Sequence, residues 1–96
     1  MLESPDVVWN VTNAVTAYQD VVKTRNSEAT AAFAGAALLP LVTAHANLLV
    51  NRLQPAHVEQ FLKAIEGKSM ATRQSYWKIM VRFEEWLRRR GLLDRD

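Results

Sequence analysis

AAFAGAALLPLVTAHANLLV, residues 31–50, runs for twenty positions without a charged side chain. Such a run is either a membrane span or the buried helix of a small domain. At about 1.5 Å per residue, twenty residues just cross a hydrocarbon core of roughly 30 Å. The composition argues against a span: the run is rich in alanine, and Pro40, Thr43, His45 and Asn47 would each need a polar partner in lipid. On a helical wheel Ala34, Leu38, Leu41, Val42, His45, Leu48 and Leu49 gather on one side. Phe33, Ala36, Ala37, Pro40, Thr43, Ala44 and Asn47 fall on the other. The stretch therefore reads as a helix over 27–50, with a large-residue face for the core and a small-residue face for close approach of a neighbour. Pro40 is expected to bend or break it, because proline removes one helical donor and crowds the preceding turn. His45 has no second ligand at metal spacing and reads as a hydrogen-bonded core histidine.

Working outward, Ser4-Pro5-Asp6 has the form of an N-cap, a first-turn proline and an acid at the positive dipole end. Val8, Val11, Val15, Tyr18 and Val22 then follow at helical steps, which predicts a first helix over 5–24. Its opening turns are rich in β-branched residues, and Val7-Trp9-Val11 alternates as a strand would. Ser27 can cap the second helix. Gln54-Pro55 opens a third, over 55–66, with Val58, Phe61, Leu62 and Ile65 on one face and Gly67 as a left-handed stop. Ser69 opens a fourth, over 69–90, with a core row of Thr72, Tyr76, Ile79, Met80, Phe83, Trp86 and Leu87. Its other face carries Gln74, Ser75, Lys78, Arg82, Glu85 and Arg89 and is basic on balance. The fold class is all-α: a compact bundle of four main helices forming one domain over 1–96.

A chain of 96 residues suits one core. It has no cysteine, so it has neither a disulfide framework nor a thiolate metal site, which suits a reducing cytoplasm. The acidic start MLESPD lacks the order of a secretory signal, and no Gly-rich phosphate loop is present. No cofactor or metal is expected, and no nucleophile, base and orienting group form a catalytic constellation. The net charge of +2 is unevenly spread: residues 1–67 carry four basic and six acidic side chains, and residues 68–96 carry eight basic and four acidic. That asymmetry points to a polyanionic partner met by the C-terminal third, set against the plainer reading of a solvated face.

Two near-identical tetrapeptides, SEAT at 27–30 and SMAT at 69–72, each open a long helix. The match continues in register, with Thr30, Ala34, Leu38 and Leu41 corresponding to Thr72, Tyr76, Met80 and Phe83. From Leu53 the chain reads LQPAHVEQFLKAIEGKSMATRQSYWKIMVRFEEWLRRRGLLDRD. The ordered set Leu53, Val58, Phe61, Leu62, Gly67, Ser69, Thr72, Tyr76, Met80, Phe83, Trp86, Leu87, Gly91 and Leu92 resembles the helical core-binding domain of tyrosine recombinases, the phage-integrase family. The N-terminal half is similar more loosely, through AYQDVVKTRNSEAT, and departs at Ala34, where the family usually has an aromatic or leucine.

The resemblance implies a non-catalytic module that closes one side of a clamp around duplex DNA. The strand-cleaving tyrosine and its arginine, histidine and lysine partners belong to a separate C-terminal domain, so the chain reads as a fragment of a longer recombinase. It also implies contact through the second and fourth helices, whose N-termini present free N–H groups and positive dipole ends suited to phosphate. Ser27, Thr30, Ser69 and Thr72 mark those ends, as caps and as candidate contacts. Lys23 and Arg25 precede one, and Lys68 and Arg73 flank the other. Gln74, Ser75 and Lys78 are candidates for base edges or nearby phosphates, and Arg82 continues that flank. Arg88-Arg89-Arg90 reads as favourable charge at a helix C-terminus. Removing charge at Arg73 and Lys78 is accordingly expected to weaken duplex binding more than removing it at Arg89 and Arg90.

Phe33 is expected either to pack beneath a neighbouring helix or to touch a thymine methyl. The expected partners are double-stranded DNA and other recombinase protomers in a synapse, with no membrane, in the cytoplasm of a bacterial or phage-infected cell. A helical protein-interaction or regulatory bundle that binds no DNA is the competing reading.

Overall fold

The computed structural model describes residues 9–93, and within them the chain forms four helices: α1 (Val11–Arg25), α2 (Glu28–His45), α3 (Pro55–Ala64) and α4 (Met70–Arg89). A single 3-10 turn, Val50–Arg52, links α2 to α3. The all-α class and the four-helix count agree with the periodicity. Several boundaries do not.

The first helix begins at Val11 rather than near residue 5. Asn10 is extended (φ −85°, ψ 173°), and its side chain accepts the Asn13 N–H at 2.8 Å, so asparagine is the cap. The proposed cap Ser4-Pro5-Asp6 and the predicted core residue Val8 lie outside the described residues. Trp9 and Asn10 instead run alongside the segment that follows α2, with an antiparallel bridge between Asn10 and Leu49. The Val11 N–H donates to the Leu48 carbonyl at 2.8 Å, the Thr12 N–H to Ala46 at 3.2 Å, and the Val50 N–H to Trp9 at 2.9 Å. Two of the first-turn donors that a helix cannot satisfy internally are thus bonded to another part of the chain.

The second helix ends at His45, five residues before the predicted Val50, because residues 46–49 are held by these bonds to α1. It is not broken at Pro40, which sits inside it. Its apolar side is also wider than the wheel implies. Ala37, placed on the small-residue side, is completely buried together with Ala34, Leu38 and Leu41, whereas Leu49, placed in the core, is exposed. Small residues on both helices explain why α1 and α2 pack most extensively. Ala14 of α1 and Ala31, Ala34 and Ala37 of α2 are buried. The Gln19 amide crosses to the Ala31 carbonyl at 3.0 Å, and a Cβ at Gly35 would collide with it. A side chain at this position would have to displace the Gln19 amide.

The third helix buries Phe61 and Ile65 but leaves Leu62 exposed. Gly67 is not left-handed; the left-handed residue is Gly91, with φ 73°. Leu92 N–H bonds to Leu87 O at 2.9 Å and Gly91 N–H to Arg88 O at 3.0 Å, the paired bonds of a Schellman stop for α4. The predicted face of α4 is observed: Ile79, Met80, Phe83 and Leu87 are buried, and Tyr76 and Trp86 pack at the edge of the core. Tyr18 meets Phe83 edge-on at 5.5 Å and Trp86 at 5.4 Å, which ties α1 to α4. Among the described residues no helix is long and apolar enough to cross a membrane.

Candidate nucleic-acid interface

Both helix starts are capped in the same way. The Ser27 hydroxyl oxygen accepts the Thr30 N–H at 3.1 Å and lies 3.0 Å from the Thr30 hydroxyl. Ser69 accepts the Thr72 N–H at 3.2 Å, and its hydroxyl donates to that of Thr72 at 3.0 Å. These hydroxyls therefore already serve the helices that carry them.

The cations around the two starts are deployed differently. Beside α4, the Arg73 Nε donates to the Lys68 carbonyl at 3.1 Å, and the Lys68 ammonium lies 5.7 Å from the Tyr76 ring centre. Phe33, left 43% exposed on α2, meets the same Tyr76 ring edge-on at 5.8 Å, so it packs against α4 at the rim of the core. Arg73 and Gln74 line a shallow hollow against α3 with Leu62, Ile65 and Trp77. Ser75 is half-buried, while Lys78 and Arg82 are exposed along the flank of α4.

Beside α2, Lys23 is paired with Glu28 at 3.2 Å, both largely in solvent. Arg25 is exposed and lines a groove of about 240 Å³ between the end of α1, the start of α2 and α4. Arg82 and Arg89 of α4, both exposed, line the same groove, together with Asn26, Thr30, Tyr18, Ala34, Ile79 and Trp86. Glu85 is the acid that lines it. Among the described residues none of the three guanidiniums lies within ion-pairing distance of a carboxylate, Glu85 included. Burial pushes the Tyr18 phenol above its ordinary pKa; Arg82 opposes that rise and Glu85 adds to it.

The structure thus brings Arg25, Thr30 and Arg82 together and leaves Lys68, Arg73 and Gln74 lining other surfaces. It adds Arg89 and Tyr18, which sequence reasoning had not placed at a site. Arg82, Glu85 and Arg89 follow one helical face, a register legible in the sequence. The docking of Arg25 beside them is a tertiary fact. Arg90 behaves otherwise: its guanidinium lies 5.3 Å from the ring centres of both Trp9 and Trp86, which stack on each other at 6.0 Å. It secures the N-terminal strand-like segment to α4 through cation–π contact.

His45 is half-buried, its Nε2 lies 2.7 Å from Gln60 Oε1, and its ring meets that of His57 at 4.7 Å. The His57 Nδ1 accepts the Gln54 N–H at 2.8 Å. His45 is thus hydrogen-bonded as expected, but it stands half-buried at the α2–α3 junction rather than in the core. Among the described residues no group of three or more side chains is arranged to hold a metal ion.

Comparison with protein-family models, with curated proteins and with solved structures finds no match to this chain.

Proposed function

We propose that the chain is the core-site-binding DNA domain of a phage-type site-specific tyrosine recombinase, a non-catalytic module that grips duplex DNA through α2 and α4. The observation that carries this reading is that Arg25, Arg82 and Arg89 line one groove beside the capped start of α2, none of them ion-paired among the described residues. Guanidiniums without carboxylate partners keep their donors for phosphate oxygens, and the adjacent helix N-terminus adds positive potential. Lys78 extends the exposed positive flank one turn from Arg82. Strand cleavage would belong to the rest of the recombinase, acting on DNA in the cytoplasm of a bacterial or phage-infected cell.

Titrating the purified chain with short duplexes at two salt concentrations tests the proposal. Four phosphate contacts give a log–log salt slope of about −3.6, or roughly a hundredfold loss between 50 and 200 mM salt. Salt-independent binding, or none, sinks the DNA reading.

A second reading has its own observation. Beyond its first turn the outward side of α2 is uncharged, with Ala32, Ala36, Leu39 and Thr43 exposed and Leu39 57% exposed. A protein partner or a second protomer would cover such a face, and this reading predicts a stable complex that ignores duplex DNA.

A further inference from the structure

The groove between α1, α2 and α4 holds a feature that duplex binding by surface cations does not require. Tyr18 is only 7% exposed, yet its hydroxyl has no hydrogen-bond partner among the described residues. Buried polar groups are almost always bonded, because an unmet donor loses its hydration without compensation. The ring is fixed by Phe83 and Trp86, and the residue lines the groove with Arg25, Arg82 and Arg89. We infer that this groove is a pocket for a single phosphate group, with the Tyr18 hydroxyl as its neutral donor and the three guanidiniums as its cations.

Charge, shape and size all favour phosphate. Three arginines less Glu85 leave the groove at +2, which matches a phosphate monoester dianion. A tetrahedral oxyanion can accept from several converging guanidiniums and a hydroxyl at once, which a planar carboxylate does less well. A volume of about 240 Å³ lies below that of pockets for drug-sized molecules, roughly 300–1,000 Å³, and fits a phosphate with part of what bears it. Apolar walls from Ala34, Ile79 and Trp86 lower the local dielectric and strengthen each charge-assisted bond. Glu85 opposes the anion, so its removal should tighten binding. The pocket needs no duplex: the phosphate can be free, terminal or part of a backbone.

The test is an NMR titration of the full chain with inorganic phosphate at constant ionic strength, followed at the Trp86 indole and the Thr30 amide. The expected result is a saturable shift at both, weakened about tenfold in Tyr18→Phe and in Arg82→Gln and strengthened in Glu85→Gln. Tyr18→Phe keeps the ring packing, and an otherwise unchanged spectrum verifies its fold. No saturable shift in the wild type, or unchanged phosphate binding in Tyr18→Phe, overturns the pocket. If duplex binding persists in that case, the pocket alone fails and the DNA reading stands. If Tyr18→Phe loses phosphate and duplex together, the pocket holds a backbone phosphate; if it loses phosphate alone, the pocket holds a free or terminal one.

Discussion

The two SxAT helix starts share one capping hydrogen-bond pattern, although Ser27 has φ −162° and Ser69 φ −62°, and they differ in surroundings. Ser27 and Ser69 each accept the N–H of the threonine three residues on, at 3.1 and 3.2 Å, with the paired hydroxyls at 3.0 Å in both. Around the α4 start, however, Lys68 and Arg73 are engaged with a ring and a carbonyl of the protein itself. Around the α2 start, Arg25, Arg82 and Arg89 have no carboxylate partner among the described residues. A four-residue motif fixes the cap, since every bond of the cap is made within the motif. It does not fix the charge environment, since Arg82 and Arg89 come from a different helix. The start of α2 is therefore the one with the more available cations.

The largest effect that can break the parallel lies in the core, where the repeat's register pairs Leu41 with Phe83. Both are essentially unexposed, at 1% and 0%. Leu41→Ala should cost about 2–5 kcal/mol and Phe83→Ala about 3–5 kcal/mol, read from denaturant unfolding. A loss under about 1 kcal/mol at either position means that the register carries no common packing role.

Next comes duplex affinity, measured by fluorescence anisotropy at low salt. Arg82→Gln and Arg89→Gln are each expected to weaken binding about tenfold, in line with the loss of a charge-assisted hydrogen bond. Arg73→Gln should cost less, because its Nε is already committed to the Lys68 carbonyl. This revises the ordering that the sequence alone gives, which put Arg73 ahead of Arg89, and it separates Arg89 from Arg90. Arg90→Gln should leave binding near the wild type and lower stability instead, through the lost contact with Trp9 and Trp86. Equal losses at Arg73, Arg82, Arg89 and Arg90 would point to diffuse attraction and remove the distinction between the two starts.

What could be read in advance follows the same division between local and tertiary. The face of α4 was legible because large apolar residues recur at helical spacing and no small residue competes for the core side. The face of α2 was only half legible: alanine carries little hydrophobic contrast, so whether Ala37 or Leu49 turns inward depends on the neighbouring helix. The predicted first helix does not run through Trp9 and Asn10, because those residues pair with residues 49–50, a tertiary contact that local periodicity does not carry. Gly91 directly follows its C-cap, Arg90, and is left-handed, whereas Gly67 stands two residues past its C-cap, Ile65, and is not. Of the candidate contacts, Arg25, Thr30 and Arg82 are brought together; Arg89 and Tyr18 needed the docking of α1 against α4 to be seen.

The smallest effects test the caps themselves. Ser27→Ala and Ser69→Ala should each cost about 1 kcal/mol, and equally, because the bonds they remove are the same length to within 0.1 Å. The starts differ at the next position, where α2 has Glu28 and α4 has Met70. An acid in the first turn interacts favourably with the helix dipole, and Glu28 also meets Lys23. That pair is exposed, so its own share is at most a few tenths of a kcal/mol. Met70 is 62% exposed, so replacing it disturbs little packing. Met70→Glu is therefore expected to stabilise the chain by about 0.3–0.5 kcal/mol at low ionic strength, with the gain shrinking as salt is added. A salt-independent change would mean that Met70 acts through packing, and the two starts would then differ in more than their charges.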